Sequence, residues 1–200
     1  TSEVLGYYNR GEQFPKLIIT NINSTIQTVI FAALSKSQDN ILRVKAMVRR
    51  GITTSAFIIF PMMIGMAVVA KPMIEIVLTD KWLPAVPFLQ ILAISQMLIP
   101  IHTANLQAIN AIGRSDVFLK LEVIKKIFGI IIIGVSIPFG VYAIAWGVLI
   151  SHIASSIINA FPNRTLIGYS YIEQLKDLSP YLLFSIIMGN DSMKDINQWK

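Results

Sequence analysis

Four stretches of this chain carry no charged side chain at all: residues 17–34, 52–70, 83–111 and 127–163. An α-helix rises about 1.5 Å per residue and a bilayer's hydrocarbon core is about 30 Å thick, so about 20 apolar residues cross it. Runs of this length have few other uses. Of the 200 residues, 54% are hydrophobic and 14% charged. A soluble domain usually holds about 25% charged residues, so this chain lacks the polar surface such a fold needs. The expected fold is all-α, a polytopic bundle of transmembrane helices.

The runs set the expected boundaries. Spans fall near 17–34, 52–70, 83–111, 117–137 and 141–161, about five in full, with a partial sixth at 180–189. The longest run is divided by Pro138-Phe139-Gly140, because proline removes a helix hydrogen bond and glycine favours a turn. Trp82, Pro84 and Pro87 mark a helix start at an interface. Pro61 and Pro100 are candidate kinks. Glu122 and Lys126 are spaced as an i,i+4 ion pair. Met62, Met63 and Met66 read as packing residues. The polar tail 190–200 stops the last run early. With no initiator Met and no leader pattern, the chain reads as a fragment.

The loops set the expected orientation. Cytoplasmic loops of membrane proteins are rich in Lys and Arg. Residues 35–51 hold Lys36, Arg43, Lys45, Arg49 and Arg50 against Asp39, and residues 113–126 are also basic. Residues 71–82 balance their charges and 138–140 have none, so basic and neutral loops alternate. Loops 35–51 and 113–126 are therefore placed in the cytoplasm. The net charge of +6 is explained by topology and contact with membrane lipids, without a nucleic-acid partner.

Cysteine is absent, which excludes disulfides and thiolate chemistry. His102 and His152 lie in uncharged runs without carboxylates beside them, so no metal site is expected. No phosphate loop, nucleophile–base pair or carboxylate pair is evident; no cofactor, catalytic residue or enzyme activity is expected. Polar residues within the spans are more informative. Asn21, Ser24, Thr25 and Thr28 share one helical face. So do Gln96, Thr103, Gln107 and Asn110 with Pro100, and His152, Ser155, Ser156 and Asn159. Such faces avoid lipid. They serve as bonding between helices or as the wall of a hydrated path suited to a hydroxyl-rich cargo.

The order of several short motifs carries a resemblance. Leu5-Gly6-Tyr7-Tyr8-Asn9-Arg10-Gly11 leads into a polar span ending Phe31-Ala32-Ala33-Leu34-Ser35-Lys36. Phe60-Pro61 follows, then Trp82-Leu83-Pro84-Ala85-Val86-Pro87, Asn110-Ala111-Ile112-Gly113-Arg114-Ser115-Asp116 and Pro138-Phe139-Gly140-Val141. Over residues 1–189 the chain resembles the second, C-terminal lobe of Wzx-type polysaccharide flippases of the MOP superfamily. The resemblance implies a MATE-like lobe of a two-lobed transporter in the bacterial inner membrane. It implies an undecaprenyl-diphosphate-linked oligosaccharide as cargo, and glycan polymerase or other pathway proteins as partners. It favours the Asn21 stripe as cavity wall and makes Arg10, Lys16, Arg114 and Lys120 candidates for the diphosphate. The competing readings are a multidrug exporter of the same superfamily, a membrane glycan polymerase or ligase, and a scaffold for glycosyltransferases.

Overall fold

The computed structural model describes residues 2–37 and 39–198, and their side chains except at 25, 26 and 195–198. The described residues are helical with no strand. Helix α1 is Ser2–Ser35, α2 Ile41–Val68 and α3 Ala70–Leu78. A 3₁₀ turn, Asp80–Ala85, leads to α4 (Val86–Gln96) and α5 (Ile99–Ala111). Then come α6 (Ser115–Ser136), a second 3₁₀ turn (Ile137–Phe139), α7 (Val141–Ala160), the short α8 (Asn163–Leu166) and α9 (Tyr171–Gln198).

Local chemistry explains the boundaries. Asn40 caps α2, its side-chain oxygen accepting from Arg43 N–H at 3.0 Å. Gly113, at φ 77°, ends α5 with Arg114 N–H bonded back to Ile109 carbonyl. Gly140, at φ 88°, turns the chain from α6 into α7. The α4–α5 break falls just before Pro100, whose missing N–H leaves Gln96 carbonyl without its helix donor. Pro61, by contrast, sits inside an unbroken α2.

Pairwise packing fixes the helix directions. Gly11 on α1 lies against Leu89 on α4 and Gln27 reaches Gln107 on α5, so these helices run parallel. Helix α7 runs beside α4–α5 in the same sense, with 95–152, 102–159 and 105–163 as successive bonded pairs. Helices α2 and α9 are parallel, through Lys45–Glu173, Arg49–Asp177, Phe57–Tyr181 and Gly65–Met188. The hairpin at Gly140 folds α6 back against α7, where Gly147 meets Ile132 and Ser136.

The largest core cluster lies between α2 and α4–α5. Val44, Val48, Ile52, Ile59 and Met63 meet Ala93, Met97, Ile101, Ala104 and Ala108, nearly all fully buried. Small residues on α5 let the two backbones approach. The outside of the bundle is also apolar: Leu119, Ile127, Ile130 and Val135 on α6, Trp146 and Ile150 on α7, and Phe184 and Ile187 on α9 are exposed. An apolar outer surface over most helices requires lipid as solvent. Among the described residues, four segments are long and apolar enough to cross a membrane: Ser2–Ser35, Ile41–Val68, Asp80–Ala111 and Val141–Leu166. The chain is a multi-pass membrane protein.

Several boundaries differ from those read off the sequence. Helix α1 starts at Ser2, fifteen positions before the uncharged run, because Glu3, Arg10, Glu12 and Lys16 ride on a helix rather than a loop. The third span is broken in two at Pro100. The helix at 115–136 is not among the four apolar segments, since Lys120, Glu122, Lys125 and Lys126 lie within it. Glu122 bonds Lys125 instead of Lys126. Helix α9 starts at Tyr171, nine positions before the expected partial span at 180–189, and continues through the polar stretch after Asn190. Charged residues do not stop a helix; they only hide it from a hydropathy reading.

Candidate functional site: a polar stripe on α1 and the pocket beside it

Helix α1 presents an exposed face made of Asn9, Arg10, Gln13, Lys16, Leu17, Thr20, Asn21, Ser24 and Thr28. These recur at spacings of three and four, one side of a helix. From Asn9 to Thr28 the stripe runs about 28 Å at 1.5 Å per residue, close to a full hydrocarbon core. Its polar groups are partly satisfied within the helix. Asn21 Nδ2 donates to Leu17 carbonyl at 2.8 Å, Ser24 Oγ to Asn21 carbonyl at 3.1 Å, and Thr28 Oγ1 to Ser24 carbonyl at 3.0 Å. The Thr25 side chain lies outside the described residues.

Beside this stripe is a cavity of about 260 Å³. Its floor is Leu92, Gln96 and Ile99 at the α4–α5 break. Its walls are Tyr8, Glu12, Lys16 and Thr20 from α1, and Val148 and His152 from α7. Lys16 and Glu12 form a loose pair at 3.9 Å. Gln96 is only 4% exposed, and its Oε1 has no hydrogen-bond partner among the described residues. A buried amide oxygen left open in this way costs free energy unless something donates to it. The proline break and the open oxygen thus fall at the same place.

The α7 stripe is used differently. His152 Nδ1 lies 2.8 Å from Ser95 Oγ and 3.0 Å from Ser95 carbonyl. Asn159 Nδ2 donates to His102 carbonyl at 2.9 Å, and Asn163 Nδ2 to Asn105 at 2.8 and 3.1 Å. This is interhelical bonding, from α7 and its following turn onto α4–α5. Only His152 also lines the cavity; an Nδ1–H given to Ser95 carbonyl would leave Nε2 as its acceptor. Of the middle stripe, Gln96 reaches the cavity and Gln107 contacts Gln27 at 3.5 Å. Thr103 is half-buried on α5.

The basic candidates are not gathered in one place. Arg10 lies 5.2 Å over the Trp82 ring and donates to Gln13 Oε1. Lys16 is in the cavity wall. Arg114 forks onto Asp116 with both bonds at 2.9 Å, holding that carboxyl down to about 2. Lys120 is exposed on α6. Lys16 stands near the middle of the bundle, in the cavity at the α4–α5 break, whereas Arg114 follows the far end of α5. Glu12, Gln13 and Thr20 were not singled out from sequence: the early start of α1 puts Gln13 on the stripe and Glu12 in the cavity wall, and Thr20 lies on the stripe within the uncharged run. No group of three metal-ligating side chains occurs among the described residues.

The family model described as "polysaccharide biosynthesis protein" matches residues 1–87. The chain is 26% identical over 178 residues to the lipopolysaccharide biosynthesis protein WzxC of Escherichia coli, covering 88% of this chain and 36% of that protein. It is 27% identical over 173 residues to the teichuronic acid biosynthesis protein TuaB of Bacillus subtilis, covering 84% and 34%. An uncharacterized membrane protein in the cps region of Klebsiella pneumoniae is 27% identical over 143 residues, 71% of this chain and 30% of that one. The chain spans about a third of the length of these relatives. No solved structure is a significant match. These matches support the resemblance read from the motifs: this is a helical membrane protein similar to those of polysaccharide biosynthesis.

Proposed function

We propose that the chain is one transmembrane lobe of a lipid-linked glycan flippase, and that the outward face of α1 is its half of the transport path. The observation that carries this reading is the polar stripe exposed across α1. A bilayer-long row of amides, hydroxyls and cations cannot face lipid. It needs water or a second protein surface, and the relatives are about two and a half times as long as this chain. The names of two relatives, in lipopolysaccharide and teichuronic acid biosynthesis, favour a glycan cargo over a drug. Groups such as Gln13, Thr20, Asn21 and Gln96 can both donate to and accept from sugar hydroxyls.

In this reading helices α6 and α9 cross as well. The α5, α6 and α7 order needs α6 to return the full length of the bundle, and its outer face is apolar. The end holding residues 35–51 and 113–126, which are the α1–α2 and α5–α6 turns with the first turns of α2 and α6, is cytoplasmic, in a bacterial inner membrane. The cargo carries an undecaprenyl diphosphate. Lys16 is the cation best placed for it; Arg10 stands nearer the outer mouth, while Arg114 and Lys120 stand near the inner one. The step is movement rather than bond-making, so the protein acts as a transporter, with other pathway proteins handling the glycan on each side.

The test is a chimera of the E. coli relative in which this chain replaces the aligned third, in a flippase-null strain. Surface polysaccharide is expected to return. Leucine at Thr20, Asn21 and Ser24 together should lower export about tenfold, the worth of one or two lost hydrogen bonds, with membrane level unchanged. Export by an inserted triple variant equal to that of the chimera would sink the assignment of the stripe.

A further inference from the structure

Two cavities meet at Arg50. One, of about 400 Å³ between α1 and α2, is lined by Val29, Ile30, Ala33 and Met47 and is otherwise nearly apolar. The other, of about 520 Å³ between α2 and α9, contains Arg49, Lys176, Asp177 and Tyr181. Arg50 lines both. Its neighbour Arg49 is committed to Asp177, which also accepts from Tyr169 Oη at 2.8 Å. Arg50 and Lys176 have no ion pair among the described residues.

The depth of these groups matters. Arg50 is the last charged residue of α2 before the uncharged run that begins at Ile52. Asp177 and Lys176 are the last charges of α9 before the uncharged stretch from Leu178. Both cations therefore stand where headgroups give way to acyl chains, and the apolar cavity extends about a turn to either side of Arg50, from Met47 toward the loop to Ser55 on the membrane side. A basic pocket joined to an apolar one at that level selects an amphipathic anion.

We propose that this is a binding site for an anionic phospholipid, with its phosphodiester between Arg50 and Lys176 and one acyl chain in the α1–α2 cavity. Arg50 supplies a guanidinium fork suited to two phosphate oxygens, and Lys176 a point charge. The site lies on the α2 side of α1, apart from the polar stripe, and stands whatever the cargo of the stripe is.

The experiment measures binding of dioleoyl phosphatidylglycerol to the purified full chain in detergent, by native mass spectrometry. Phosphatidylcholine and soluble glycerol 3-phosphate are the comparison probes. Arg50→Gln should weaken phosphatidylglycerol binding about fivefold and Arg50→Gln with Lys176→Gln about thirtyfold, the usual effect of one and two cations near a headgroup. Ala33→Phe, which fills the apolar cavity, should weaken it too, and Lys71→Gln at the other end should not. Equal binding of both lipids, an unchanged double variant, or a Lys71→Gln loss as large as that of Arg50→Gln would overturn the site. Glycerol 3-phosphate binding as well as the lipid would overturn its amphipathic character.

Discussion

Replacing Asn105 by leucine is expected to destabilise the bundle by about 2–5 kcal/mol, although the two side chains are similar in size. Asn105 is fully buried on α5 and joins three elements. Its Nδ2 donates to Gln174 Oε1 at 2.8 Å and to Ile101 carbonyl at 2.9 Å. Its Oδ1 accepts from Gln174 Nε2 at 2.9 Å and Asn163 Nδ2 at 2.8 Å. Gln174 and Asn163 are themselves 0% exposed, so no water replaces what leucine removes. Individual bonds within membrane proteins average about 0.6 kcal/mol and reach about 1.7, and Asn105 makes four. The orphaned Gln174 amide then sets the size of the loss. Asn105→Leu with Gln174→Leu should recover part of it, because two apolar partners leave no unmet amide. Unfolding in mixed detergent–SDS micelles reads both; an Asn105→Leu protein within about 0.5 kcal/mol of the parent, the scatter of neutral surface changes, would remove the network from the account.

Gly11→Val is the second large effect, about 3 kcal/mol by overpacking. A Cβ at Gly11 would stand 2.8 Å from Leu89 N, 2.9 Å from Phe88 Cβ and 3.1 Å from Ala85 carbonyl oxygen. Two of those atoms are backbone and cannot rotate away, so α1 must move off α4. The nearest atom to a Cβ at Gly65 is Met188 Cε, the free end of a flexible side chain, at 3.7 Å. Gly65→Ala should therefore be close to neutral, and equal unfolding curves for Gly11→Val and Gly65→Ala would contradict the crossing. Separation at Gly11 would also open the cavity, whose α1 wall begins at Tyr8.

The spans were legible wherever composition alone decides. Uncharged runs located the apolar helical segments long enough to cross a membrane, and Gly113, Gly140 and Pro100 mark ends or breaks because their backbone chemistry leaves few choices. The first half of α1 was not legible, because Glu3, Arg10, Glu12 and Lys16 interrupt its apolar residues and a linear reading sees only their number. The same holds for Glu173, Lys176 and Asp177 in α9. The stripes on α1 and α7 look alike in sequence, yet one is exposed and the other is bonded across a helix interface. What separates them is partly the backbone carbonyls of Ser95 and His102, which no sequence pattern displays. The open Gln96 oxygen was legible as a stripe member, but not as unpartnered.

Cysteine accessibility tests the central claim most directly, and the chain has no native cysteine to interfere. Single cysteines would be placed at Ser115, Phe139, Thr20 and Ile130, and treated in intact and opened cells with a membrane-impermeant thiol reagent. The account predicts labelling of Ser115→Cys from the cytoplasmic side only and Phe139→Cys from the outer side only. It predicts that Thr20→Cys reacts within the membrane span, while Ile130→Cys, on the exposed apolar face of α6, does not. Ser115→Cys and Phe139→Cys labelled from one side, or Thr20→Cys as silent as Ile130→Cys, would contradict a membrane-crossing bundle with a hydrated face on α1.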